Sequence, residues 1–139
     1  MKTNSKFRIA VVDDELDIGT ICVELLQAQG FEAVHFPNAE TMLGEKIAKI
    51  DLLITDISLG LGGMSGIDLA SQYNFLLKKE NLPSVPVLFM SGYGEKKIST
   101  HFLKHDQIHF LEKPFNLEKL LAKIRNILTP PKSPSAPAA

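Results

Sequence analysis

Short runs of almost continuous apolar residues alternate along this chain with segments in which apolar residues recur every three or four positions. The runs predict strands at Phe7 to Val12, Glu32 to Phe36, Asp51 to Asp56, Val85 to Met90 and Gln107 to Leu111. A strand covered on both faces loses the in-out alternation of a half-exposed one, so the most apolar runs read as buried parallel strands. Pro86 counts against the fourth run, because it donates no ladder hydrogen bond.

The intervening segments predict helices. Ile18, Ile21, Cys22, Leu25 and Leu26 fall on one helical face, expected to turn inward, and Gly30 stops that helix. Asn38 is placed as the N-cap of a second helix with Ala39, Met42, Leu43 and Ile47 inward. Gly66 to Lys79 follows with a less regular stripe, closed by Pro83, and a polar helix is expected from Glu95 to Lys104. Asn116 caps the last helix, whose inward stripe is Leu117, Leu120, Leu121, Ile124 and Leu128. Five strands and five helices in alternation predict an α/β fold of (βα)5 type, a doubly wound five-stranded parallel sheet covered on both faces.

Composition narrows the classes. The 139 residues, 45% hydrophobic and 22% charged with a net charge of −1, suit one globular domain. The domain is expected over residues 6–128. Residues 129–139 hold half of the eight prolines and no large apolar side chain, and are expected to be a disordered tail. Near-neutral charge without long basic clusters argues against nucleic acid or an anionic membrane as partner. No stretch approaches the roughly 18 apolar residues of a membrane span, and no signal-peptide core precedes the first strand. The one cysteine, Cys22, is assigned to the core and suits a reducing compartment, so a cytoplasmic location is expected.

The chemistry sits at the strand ends. In a doubly wound sheet the functional crevice lies beyond the carboxyl ends of the strands. There the sequence delivers Asp13 and Asp14 after strand 1, Asp56 after strand 3, Ser91 and Gly92 after strand 4, and Lys113 before Pro114 after strand 5. Three carboxylates drawn together repel one another unless their pKa values rise or a cation is held between them, and a hard divalent cation such as Mg2+ suits oxygen ligands. Lys113, the Ser91 hydroxyl and the Gly92 amide suit a phosphoryl group. Phosphoryl transfer onto a carboxylate fits this set, with Asp56 as the nucleophile. Asp13 and Asp14 are adjacent, so they point apart unless the strand has ended.

Four motifs in order, Val11 to Glu15, Leu53 to Asp56, Met90 to Gly92 and Phe110 to Phe115, resemble the receiver domain of two-component response regulators. The likeness covers residues 6 to 128 and points to a stand-alone, single-domain receiver. It implies the flavodoxin-like strand order 2-1-3-4-5. It also implies Asp56 as phosphoacceptor, Asp14 as direct ligand of Mg2+ (or Mn2+), Asp13 as an acid acting through water, and the Ser58 carbonyl as a further ligand. Ser91 matches the switch hydroxyl, Phe110 the aromatic that moves with it, and Lys113 the phosphate-contacting lysine. A histidine kinase or histidine phosphotransfer protein is the implied donor. A downstream protein would bind a face built by the fourth helix, fifth strand and fifth helix, and a homodimer is left open. On this reading the chain is a signalling switch that assists only its own phosphorylation and dephosphorylation. Ser58 and Tyr93 stand where the family places groups that orient hydrolytic water; neither is an acid or amide, so a long-lived phosphoryl group is expected.

Two departures from the family stand out. The loop after Asp56 is longer than usual, carries Gly60 where proline is common, and has four glycines, at 60, 62, 63 and 66, which predict flexibility. The usual Gly-Ala before the last strand is replaced by His105 to Ile108. Other readings fare worse. An aspartate-nucleophile phosphatase needs a second aspartate two residues beyond the nucleophile, and neither Asp13 nor Asp56 has one. A flavin-binding domain needs a hydroxyl-rich loop after strand 1, and no Walker loop is present. A receiver-like scaffold that is never phosphorylated stays open. His101 and His105 have metal-ligand spacing without a third ligand and are assigned to the surface; His35 and His109 are given no role.

Overall fold

The computed structural model describes residues 7–45, 49–59, 63–92 and 107–129. Five strands form one sheet: β1 (Arg8–Val12), β2 (Glu32–Phe36), β3 (Leu52–Asp56), β4 (Val87–Ser91) and β5 (Ile108–Glu112). All neighbours are parallel, in the order β2-β1-β3-β4-β5. Four helices are seen among the described residues: α1 (Leu16–Ala28), α2 (Ala39–Gly44), α3 (Gly66–Lys79) and α4 (Leu117–Leu128). The helix expected from 95 to 104 and the tail from 130 lie outside them, so α4 is the last helix of the sequence reading.

Burial explains the patterning. The central strands β3 and β4 are buried at every position, whereas the edge strands β2 and β5 are only partly covered. Alternate strand residues feed two cores. Ile9, Val11, Leu52, Ile54, Leu88, Met90 and Leu111 pack with α1 and α4. Ala10, Val12, Leu53, Val87 and Phe89 pack with α2 and α3 on the other face. The connection after β1 therefore runs over one face and that after β2 over the other, which puts a topological switch point between β1 and β3.

Local signals account for most boundaries. Asn38 Oδ1 accepts from the Thr41 amide at 2.7 Å and Asn116 Oδ1 from the Lys119 amide at 2.8 Å, so both expected caps form. Gly30, with φ 96°, turns the chain after α1. Pro86 precedes β4 rather than interrupting it: its carbonyl accepts from Leu53 at 3.1 Å, and Val85 donates to Asn74 Oδ1 at 2.7 Å. The strand thus starts two residues later than expected. In α4, Leu120, Leu121 and Ile124 are buried and Leu117 and Leu128 pack beside them.

The α1 stripe is a correction. Cys22 and Leu26 are buried, but Ile18 is 39% and Ile21 54% exposed, and Leu16 is more exposed still. The helix meets the core along Cys22 and Leu26, while Ile18 and Ile21 line an open cavity that Phe115 and Leu117 border from the start of α4. In α2, Ala39 and Met42 are buried as expected, while Ile47 lies outside the described residues.

Candidate functional site

The ends of β1 and β3 bring the acids together. Asp56 is the last residue of β3, and Asp13 and Asp14 follow β1, its neighbour in the sheet. One carboxylate oxygen from each of Asp13, Asp14 and Asp56 lies within 4.8 Å of the others. Asp13 and Asp56 are buried while Asp14 is exposed. Because β1 has ended, adjacent Asp13 and Asp14 are free to converge.

Asp13 is held from several sides. Its amide donates to the Phe36 carbonyl at 3.1 Å, extending the β1–β2 ladder by one residue. Its Oδ1 accepts from the Glu15 amide at 2.9 Å, at the start of α1. Its Oδ2 is buried with no hydrogen-bond partner among the described residues. Burial pushes the carboxyl pKa up; the Glu15 amide and Lys113 pull it down, and Asp56 and Asp14 push it up again, for a net rise. A buried, unpartnered oxygen beside two further carboxylates fits a hard divalent cation, because the site supplies oxygen ligands and lacks the positive charge that would compensate them.

Lys113 closes the site from β5. Its Nζ is 2.7 Å from Asp56 Oδ2 in a partly buried pair. Burial alone would lower the Lys113 pKa; the hydrogen bond to Asp56 and the charges of Asp56, Asp13 and Glu15 outweigh it and leave it raised. The backbone delivers this contact: the Lys113 amide donates to the Ser91 carbonyl at 2.7 Å, and Ile57 donates to the Met90 carbonyl at 3.1 Å, so pairing continues past the strand ends. The Lys113–Pro114 peptide is cis.

Ser91 is buried at the end of β4, at the same sheet edge. No hydrogen bond joins it to Asp56 among the described residues. Phe110 is 39% exposed, with its ring 5.6 Å from that of its register partner Phe89, which is fully buried. β5 is an edge strand, and Phe89 already fills the interior beneath it. Ser58 is exposed and Gly92 half-buried at the same end of the sheet.

Gly66 corrects the reading of the glycine-rich loop. It is the first residue of α3 and buried; a Cβ there would collide with the Asp56 carbonyl oxygen and come within 2.9 Å of Thr55 Oγ1. Its amide donates to Ile57 at 2.9 Å. Close approach to the end of β3, not flexibility, requires glycine here. Nearby, the Met64 amide donates to Glu40 Oε2 at 3.0 Å, tying the loop to α2. Residues 60–62, Tyr93, His101 and His105 lie outside the described residues.

The family model described as response regulator receiver domain matches residues 9–125. The chain belongs to this family. The receiver is 32% identical over 114 residues to the nitrogen assimilation regulatory protein NtrX of Azorhizobium caulinodans, covering 81% of this chain and 24% of that protein. It is 28% identical to the receiver domain of the hybrid histidine kinase CckA, with a TM-score of 0.62 over 88% of this chain and 99% of that one. A response regulator receiver domain protein of Clostridium thermocellum shares the fold at 23% identity, with a TM-score of 0.70 over 88% of this chain and 94% of that one. The receiver spans between 24% and 51% of the first curated relatives it matches. Receivers of two-component systems act as signalling switches. Among the described residues no helix is long and apolar enough to cross a membrane.

The sequence pointed to Asp13, Asp14, Asp56 and Lys113, and the structure gathers them into one site. It passed over His35, whose Nε2 lies 2.9 Å from the Asp13 carbonyl, and Glu40, which holds the loop after Asp56. These partners lie 22 and 24 residues away, and no local pattern announces such contacts.

Proposed function

We propose that this receiver is phosphorylated on the Asp56 carboxylate by the phosphohistidine of a histidine kinase or histidine phosphotransfer protein. The carrying observation is the 2.7 Å contact of Lys113 Nζ with Asp56 Oδ2 beside two further acids. Asp13, Asp14, Asp56 and the Ser58 carbonyl are the residues suited to hold Mg2+ or Mn2+. Bound there, the cation supplies Lewis-acid neutralisation of the phosphoryl oxygens. An Asp56 oxygen attacks phosphorus, the P–N bond of the phosphohistidine breaks, and its electron pair stays on the departing imidazole, which takes up a proton. The Lys113 ammonium has three donors, so it can keep Asp56 and also bind a phosphoryl oxygen. Ser91 and the Gly92 amide serve as the remaining donors.

Phosphorylation adds about −1.5 to −2 charge at the sheet edge. Ser91 closes on the phosphoryl group and Phe110, 39% exposed beside Phe89, turns into the space it leaves. The face comprising the 95–104 segment, β5 and α4 then changes its affinity for a downstream protein, or for a second copy of the chain. Exposed Leu16, Ile18 and Ile21 on α1 flank the site and offer the donor protein an apolar footing. The switching unit is residues 6–128, with 129–139 as a tail.

Incubation with a small phosphodonor and Mg2+ is expected to add one phosphate to the wild type, read by intact mass, and none to Asp56→Asn. Equal labelling of the two would remove Asp56 as acceptor.

A further inference from the structure

His35 stands in β2 opposite Val11, one strand over from the acids. Its half-buried ring places Nε2 at 2.9 Å from the carbonyl oxygen of Asp13. A carbonyl only accepts, so Nε2 carries the hydrogen and donates. The ring is seated by an absence on the facing helix. Gly19 of α1 is buried, and a Cβ at that position would overlap the imidazole at Nε2 and Cδ2 and lie 2.7 Å from Cε1. Nothing in the backbone conformation of Gly19 requires glycine, since it sits inside α1 with its amide bonded to Glu15 at 3.0 Å. A residue that lowers helix stability relative to alanine is thus placed where a Cβ would push the histidine ring from its seat.

The bond completes the immobilisation of Asp13. The amide is held by the Phe36 carbonyl, the carbonyl by His35, and Oδ1 by the Glu15 amide. The remaining polar atom is Oδ2, buried and without a partner among the described residues. We infer that His35 is a positioning residue: seated by Gly19 and donating to the Asp13 carbonyl, it fixes the backbone from which Asp13 presents its unpartnered oxygen to the cation. This rests on the reading of Asp13 as part of the metal site. A contact from outside the ligand set matters because partners that orient metal ligands change affinity by roughly 10–100-fold when removed. A single backbone hydrogen bond belongs at the low end of that range.

Mn2+ binding, followed by the electron paramagnetic resonance signal of the free ion, tests this without any phosphorylation assay. His35→Phe keeps a ring against Gly19 and removes the donor; His35→Gln keeps a donor near the place of Nε2. The dissociation constant is expected to rise about tenfold in His35→Phe and to be largely restored in His35→Gln. Gly19→Ala leaves the imidazole in the chain but denies it its seat, and the same loss is expected there, which keeps the test open if His35→Phe does not fold. Wild-type affinity in both His35→Phe and Gly19→Ala, or equal weakening in His35→Phe and His35→Gln, would overturn the positioning role and leave the metal site standing. Wild-type affinity in Asp13→Asn would overturn the metal reading of Asp13, and the inference with it.

Discussion

Asp13 holds in one residue the conflict between stability and function. Folding raises its pKa, so the folded chain retains the proton more tightly than the unfolded one. The ionised form is therefore the penalised one: the contribution of Asp13 to the stability of the metal-free receiver is most favourable below the unfolded value of 3.8 and declines as pH rises through the raised folded value. Asp13→Asn keeps the acceptor for Glu15, removes the buried charge and offers an amide to the neighbouring acids. Without metal at neutral pH it should melt about 2–5 °C above the wild type, with the gap closing in acid. Calorimetry at two pH values checks both parts, and a lower melting temperature at neutral pH would contradict the sign. Lys113 works in the opposite sense, since its raised pKa means a charge stabilised by folding and lost only as pH climbs above 10.5.

Among the elements, the junction of β3 and α3 governs the site. α3 begins against the carbonyl of the residue we propose as phosphoacceptor, and only glycine fits at its first position. Ser65 caps the same helix, accepting from Asp68 at 3.1 Å, so the helix start is fixed by both cap and contact. Gly66→Ala forces backbone apart from backbone, a change with no flexible side chain to absorb it, and should destabilise the receiver by about 1–3 kcal/mol. Denaturant midpoints measure this, and the same variant should label more slowly with a phosphodonor because Asp56 moves with its carbonyl. An unchanged midpoint would show that the helix start can slide. The glycine-rich stretch before it is anchored at Met64 by Glu40, so what freedom the loop has is bounded by α2 on one side and Asp56 on the other.

At the scale of the whole molecule, the proposed switch would depend on how long a phosphoryl group on Asp56 lasts. Ser58 is exposed and carries a hydroxyl where an acid or amide would orient attacking water, so hydrolysis should be slow. Phosphorylated receiver, freed of donor, is expected to keep its phosphate far beyond seconds without an added phosphatase; loss within seconds would contradict this. A slow clock suits a receiver whose response depends on docking, with exposed α1 residues beside the acids on one face and Phe110 over Phe89 on the other.

The sequence by itself determined the alternation of strands and helices, the caps at Asn38 and Asn116, the parallel class of the sheet and the principal acids. These follow from local periodicity and from what strand ends in such a sheet are for, and both are written in neighbouring residues. The tertiary structure alone decided which half of the α1 stripe is covered, since that depends on how the helix lies against the sheet and the start of α4. It alone left Phe110, on the edge strand, 39% exposed beside the buried Phe89. It gave Gly66 and Gly19 their meaning as places where a Cβ would strike the Asp56 carbonyl or the His35 ring. It also brought His35 to Asp13 across 22 residues of chain, a contact made by the packing of β2 beside β1. Spacing along the chain does not encode which residues from distant segments touch.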